Sequence, residues 1–337
     1  MDQANKRRKK RRLTKEEYLN GILSGDRFIL SKAITLIEST RDDDRDLAKD
    51  IIKEIPKKDD TIRIGITGVP GVGKSTFIES FGLKLIEEGY KIAVLTVDPS
   101  SRVTRGSILG DKTRMEHLSR NPNAYIRPSA AGTSLGGVAN KTRETMLLCE
   151  AAGYDMILIE TVGVGQSETM VKEMVDFFLL LMLSGAGDEL QGIKKGIMEM
   201  ADLVTITKAD GDNVKQAERA KRTYKNAMHL FPPKPNGWTP QVTTSSAIKN
   251  KGMNEVLSII KKFVSQNRKS GHFEENRKNQ NLYWFNTLIS EELLDIFYKN
   301  PAVKEKISSI KSGVLSGNID ASAGKDKLLD IFLRNSV

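Results

Sequence analysis

Gly68-Val69-Pro70-Gly71-Val72-Gly73-Lys74-Ser75 lies between an apolar run, Ile62–Thr67, and a stretch with helical spacing. The pattern is Gly-x-x-x-x-Gly-Lys-Ser. Its glycines permit a tight loop whose backbone N–H groups converge on phosphate oxygens, and a helix opening behind it adds a positive N-terminal end. In such a loop the lysine, here Lys74, bridges the outer phosphates. The hydroxyl of Ser75, next to Thr76, ligates magnesium. Strand before, helix after and the Lys-Ser pair together separate this stretch from a chance glycine-rich turn.

Outward from the loop, short β-rich runs alternate with helical segments from Thr61 to about Asn267. The strands are expected at Ile62–Thr67, Lys91–Val97, Tyr154–Ile159, Phe177–Leu183, Leu203–Thr207 and Gln241–Thr244. Several are almost continuously apolar, as strands covered on both faces of a parallel sheet are. Alternation of this kind implies right-handed crossovers. The expected fold class is α/β, a doubly wound, mostly parallel sheet of P-loop GTPase type with helical N-terminal and C-terminal extensions. The expected organisation is a disordered basic tail over 1–12, a helical segment over 13–60, the nucleotide domain over 61–270 and a helical arm over 271–337. Thr14 and Glu17 have capping-box spacing at the head of the first helical segment. In the arm, Leu282, Phe285, Leu288, Ile289, Leu293 and Ile296 fall on one apolar face.

Three carboxylates stand where a magnesium site needs them. Asp98 follows the second strand, where ligands bind in open α/β sheets. Asp111 sits in the polar loop Gly110–Met115. Glu160 ends the Tyr154–Ile159 run and opens Glu160-Thr161-Val162-Gly163, in the place of an Asp-x-x-Gly switch. Singly, each could equally cap a loop. The base falls to Thr207-Lys208-Ala209-Asp210, in the place of Asn-Lys-x-Asp: Asp210 would accept from the two hydrogen-bearing guanine nitrogens, and Lys208 would lay its stem over the ring. Thr207 replaces Asn, which leaves one supporting side-chain contact open. Ser245-Ser246-Ala247 would offer a backbone N–H to the guanine carbonyl. Adenine lacks the donors Asp210 requires, so GTP and GDP are expected over ATP and ADP. After Asp-x-x-Gly, regulatory GTPases carry a glutamine that orients the attacking water. Here that residue is Val164, with Gln166 the nearest alternative, so slow unassisted turnover is expected.

Composition excludes other classes. The 337 residues hold one cysteine, Cys149, and three histidines. An intramolecular disulfide is thus excluded, and a Cys/His zinc site is short of ligands. Formal net charge is +10, but seven cations against Asp2 fall within the first twelve residues. No aromatic residues interleave with them, as stacking on bases would need, so the tail reads as a solvated leader rather than a nucleic-acid arm. No apolar run follows it, and the longest one, Phe177–Leu183, is far below the roughly 20 residues of a membrane helix. A cytoplasmic protein without membrane contact is expected.

These motifs resemble the MeaB/ArgK family of GTPases associated with adenosylcobalamin-dependent methylmalonyl-CoA mutase. The resemblance rests on residues 12–18, Gly68 to Thr76, Asp98 to Ser101, Gly110 to Met115, Glu160 to Glu168 and Gly185 to Lys195. It implies a homodimer held by the C-terminal helices and a chaperone whose GTP cycle gates cofactor delivery to the mutase and protects it. It also implies that Gly185–Lys195 is an additional switch. The glycines of that segment would allow a rearrangement that brings Lys194 or Lys195 to the phosphates. Two other readings stay open: a metal-delivery GTPase, and a kinase linked to basic amino-acid transport.

Overall fold

The computed structural model describes residues 12–97, 115–128, 135–161, 167–185 and 195–334. Asp98, Asp111, Gln166 and Lys194 lie outside them, as do residues 1–11. Among the described residues seven strands form one sheet: β1 Ile62–Gly68, β2 Ile92–Val97, β3 Ala124–Arg127, β4 Met156–Thr161, β5 Phe177–Met182, β6 Leu203–Ile206 and β7 Gln241–Thr244. Their order is β3-β2-β4-β1-β5-β6-β7, and every pairing is parallel. Every residue of β2, β4 and β5 is buried, which accounts for their near-continuous apolar runs.

Six of these strands coincide with the expected runs to within two residues at each end. The seventh, β3, was not anticipated. It is four residues long, pairs only with β2 at the sheet edge, and follows Asn121-Pro122-Asn123. Such a short run leaves too little alternation to read.

The strand order positions the site. Central β1 has β4, β2 and β3 on one side and β5, β6 and β7 on the other. The carboxyl end of β1 therefore lies where the winding reverses, the position at which open α/β sheets bind ligands. Two glycines let the chain turn there. A Cβ on Gly68 would meet the Leu181 carbonyl oxygen at 2.5 Å, and Gly73 has φ +89. Gly73 directly precedes the helix Lys74–Glu87 (α4), so only a residue tolerant of left-handed backbone can hand the loop to the helix.

Two compact units make up the chain, Met1–Lys278 and Asn279–Val337. In the first, helices Lys15–Leu23 (α1), Arg27–Glu38 (α2) and Asp42–Glu54 (α3) pack on one another and, through α2, on Leu135–Ala151. Thr14 and Glu17 form the reciprocal capping box that their spacing predicted. Cys149, on Leu135–Ala151, is fully buried, and that burial pushes its thiol pKa up. On the opposite sheet face, the Phe263 ring lies edge-on to Phe177 at 5.0 Å and to Trp238 at 5.2 Å. The second unit is helical: the C-terminal part of His272–Lys299, then Pro301–Leu315 and Ala321–Arg334. On the first of these, Leu282, Phe285, Ile289, Leu293 and Ile296 are exposed, Leu282 and Phe285 at 60% each.

Candidate nucleotide site

The phosphate loop is held in shape by lysines and a threonine. Lys74 Nζ donates to the Gly68 carbonyl at 2.8 Å, and Lys208 Nζ donates to the Gly71 carbonyl at 2.8 Å. Both cations therefore rest on the loop that is built to receive phosphate. Burial pulls the Lys74 pKa down, opposed by the carboxylates of Glu160 and Glu168. Behind the loop, the Thr207 hydroxyl donates to the Val72 carbonyl at 2.8 Å, with the Met182 carbonyl at 3.2 Å. Thr207, which stands in the place of Asn, thus fastens its strand end to the phosphate loop. Pro70 and Gly71 are exposed at the loop tip, and Val69 is half-buried below it.

On the metal side, the Ser75 hydroxyl donates to Glu160 Oε1 at 3.3 Å. Glu160 does not follow its strand but sits inside β4, opposite Ile66 and Thr96. It is 3% exposed. The difference arises because two flanking strands continue the ladder past Ile159, so the carboxylate is carried on rigid backbone. A hydroxyl beside a carboxylate is the hard oxygen set that magnesium takes. Among the described residues no three His, Cys, Asp or Glu side chains group to hold a metal unaided. A magnesium here would complete its shell with phosphate and water oxygens.

Glu168 was not singled out as a site residue. It is fully buried on the helix Ser167–Lys172, and its charge acts on Lys74. Only an acid in an otherwise ordinary first helical turn marks it in the sequence.

On the base side, Ser246 donates its hydroxyl to Asp210 Oδ2. Ala209 N donates to the Ser245 carbonyl at 2.9 Å, and Ser245 N donates to the Ile206 carbonyl at 2.8 Å. The two segments expected to read the base, 207–210 and 245–247, are therefore stitched side by side. Ala247 is half-buried beyond them. Lys208 takes a left-handed φ of +55, uncommon for a residue with a Cβ.

One fold feature thus unites these parts: Gly68–Thr76, Thr207–Asp210 and Ser245–Ala247 begin at or directly after the carboxyl ends of β1, β6 and β7, and Glu160 is the second-last residue of β4. Comparison with known proteins gives the family. Residues 30–302 match the family model described as "Methylmalonyl Co-A mutase-associated GTPase MeaB". The mouse "Methylmalonic aciduria type A homolog, mitochondrial" is 46% identical over 93% of this chain and 78% of its own length. The Escherichia coli "GTPase ArgK" is 44% identical over 90% of this chain and 93% of its own. A solved structure described as "LAO/AO transport system kinase" superposes with a TM-score of 0.73 at 36% identity, covering 95% of this chain and 97% of that one. The chain is a P-loop GTPase and belongs to the MeaB family of methylmalonyl-CoA mutase-associated GTPases.

Proposed function

We propose that this GTPase is a chaperone for an adenosylcobalamin-dependent mutase of the methylmalonyl-CoA type, gating cofactor delivery and protecting the mutase. The observation that carries the reading is the match of residues 30–302 to the mutase-associated family. In this reading the loop Gly68–Ser75 and Lys74 hold the phosphates. Asp210, Lys208 and the backbone at Ala247 read guanine. Magnesium, held through Ser75 and Glu160 together with Asp98 and Asp111, would neutralise charge between the outer phosphates. Val164 supplies no water-orienting carboxamide, so turnover waits on the partner.

The route proposed for the partner is Gly185–Lys195. Its glycines allow rearrangement, and Lys194 or Lys195 would add a cation at the transferring phosphoryl group, an effect that can reach about 10³-fold or more in rate. Hydrolysis measured with and without each candidate mutase tests this. Stimulation of the wild type is expected, and Lys194→Ala with Lys195→Ala should remove it while leaving GDP affinity nearly unchanged. If no cobalamin mutase stimulates the wild type, the chaperone reading fails. If only the double mutant's behaviour differs from expectation, the route alone fails.

The exposed apolar face of Leu282, Phe285, Ile289 and Leu293 supports a homodimer formed through the arm. A chain ending after residue 278, the limit of the first compact unit, should be monomeric by light scattering and still bind GDP. A monomeric intact chain at micromolar concentration would remove the arm's role.

The similarity to the transport-system kinase favours a second reading, phosphoryl transfer to a protein acceptor. That activity calls for ATP, whereas Asp210, with Ser246 on one carboxylate oxygen, is suited to guanine. Transfer of labelled phosphate from ATP to any acceptor would revive it.

A further inference from the structure

Beyond the base and phosphate contacts, one carboxamide connects two segments of the site. Asn213 closes the short 3-10 turn Gly211–Asn213 that leads into the helix Val214–Met228. Its Nδ2 donates to the Lys208 carbonyl at 2.7 Å. Its Oδ1 accepts from the Ser184 hydroxyl at 2.6 Å. Its own backbone N–H donates to the Asp210 carbonyl at 3.0 Å. Residue 213 thus grips both flanks of the 208–210 turn and, on its other side, the first polar residue beyond β5.

We propose that Asn213 is a positioning residue that fixes the Lys208–Asp210 turn for the purine and ties that turn to Ser184, two residues beyond β5. The inference rests on the guanine reading above and extends it to regulation. The chemistry needs a carboxamide. Lys208 sits in left-handed backbone at φ +55, a conformation that persists only where surrounding bonds over-determine it. The bond from Asn213 Nδ2 to its carbonyl is one of those restraints, and the bond from Lys208 Nζ to Gly71 is another. Ser184 requires an acceptor at the same side chain. A carboxamide carries a donor and an acceptor on one planar head and so meets both demands. An aspartate keeps the acceptor for Ser184 but sets a second acceptor against the Lys208 carbonyl. An alanine at 184 removes the other arm and leaves the base turn alone.

That asymmetry gives the test. Affinities for GDP and inosine diphosphate, which lacks the exocyclic amine, are measured by calorimetry for wild type, Asn213→Asp and Ser184→Ala. Hydrogen exchange is followed in the peptide containing Ser184, with and without GDP. Asn213→Asp should lower the GDP to inosine diphosphate preference by about tenfold, the scale of one hydrogen bond to a charged group. A merely structural role would lower the melting temperature but leave that ratio in place. The wild type is expected to gain protection around residue 184 on binding GDP, and Ser184→Ala should keep GDP affinity within about twofold yet lose that protection. Retention of the preference in folded Asn213→Asp, or of the protection in Ser184→Ala, overturns the inference while the guanine reading stands. A wild type without any preference for GDP overturns both.

Discussion

Asp210→Asn is expected to weaken GDP and GTP binding by about 10⁴-fold, the usual penalty when a site built on hydrogen bonds loses a required partner. It should also turn the site towards xanthine nucleotides. The geometry gives the reason. Ser246 already donates to Oδ2 of Asp210, and the turn bearing Asp210 is fastened to the segment of Ser245. The carboxylate is therefore held in place before any base arrives, and it has acceptors only. Guanine presents two donors to that edge, whereas xanthine replaces its exocyclic amine by a carbonyl. An amide at residue 210 offers that carbonyl a hydrogen and repels the guanine amine. Calorimetry with GDP, XDP and ADP on wild type and mutant decides the matter. Equal wild-type affinity for GDP and ADP would end the base assignment.

Lys74→Ala is expected to lower the hydrolysis rate by at least about 10²–10³-fold, the loss seen when one preorganised donor to developing charge is removed. Lys74 Nζ donates to the Gly68 carbonyl at 2.8 Å, on the loop whose pattern cradles phosphates. Its burial adds a pH signature. In the nucleotide-free protein the Lys74 pKa is lowered, chiefly by desolvation. Phosphate nearby favours the charged form and raises it again. Nucleotide affinity is then complete below the lowered pKa and falls as pH rises through it in the alkaline range. GDP titrations at increasing pH should show a larger decline in the wild type than in Lys74→Ala, where only ionisation of the guanine N1–H remains. A mutant with undiminished turnover, or with the wild-type pH profile, contradicts the assignment.

The parts of the fold that could be read from sequence are those where local chemistry and tertiary position agree. β2, β4 and β5 are buried along their whole length and β1 from Ile64 onward, so burial wrote their apolar runs. The turn at Gly68–Ser75 was legible because close approach to Leu181 and a left-handed residue at Gly73 both demand glycine. β3 was not legible, since an edge strand of four residues with one neighbour imposes little pattern. Glu160 was placed at a strand end because a carboxylate looks like a boundary. Its burial inside the ladder depends on β1 and β2, whose pairing no local window contains. Asn213 and Glu168 escaped notice for a related reason. Each acts on residues distant in the chain or across a loop, and a turn residue before a helix is ordinary in isolation. Thr207 departs from the expected Asn, and its hydroxyl, which donates to the Val72 carbonyl, is a partner that no local window of sequence reveals.

The burial of Cys149 has a practical consequence for following these motions. The sole thiol of the chain has no solvent-accessible surface and is held in its protonated, unreactive form. A maleimide dye or nitroxide added to the native fold therefore has no natural target among the side chains it prefers. Ile248, next to Ser245–Ala247, is 79% exposed. A cysteine introduced there would be the single labelled point in an otherwise unaltered chain. Distance and mobility measurements could then report the nucleotide cycle without first stripping the protein of a native cysteine.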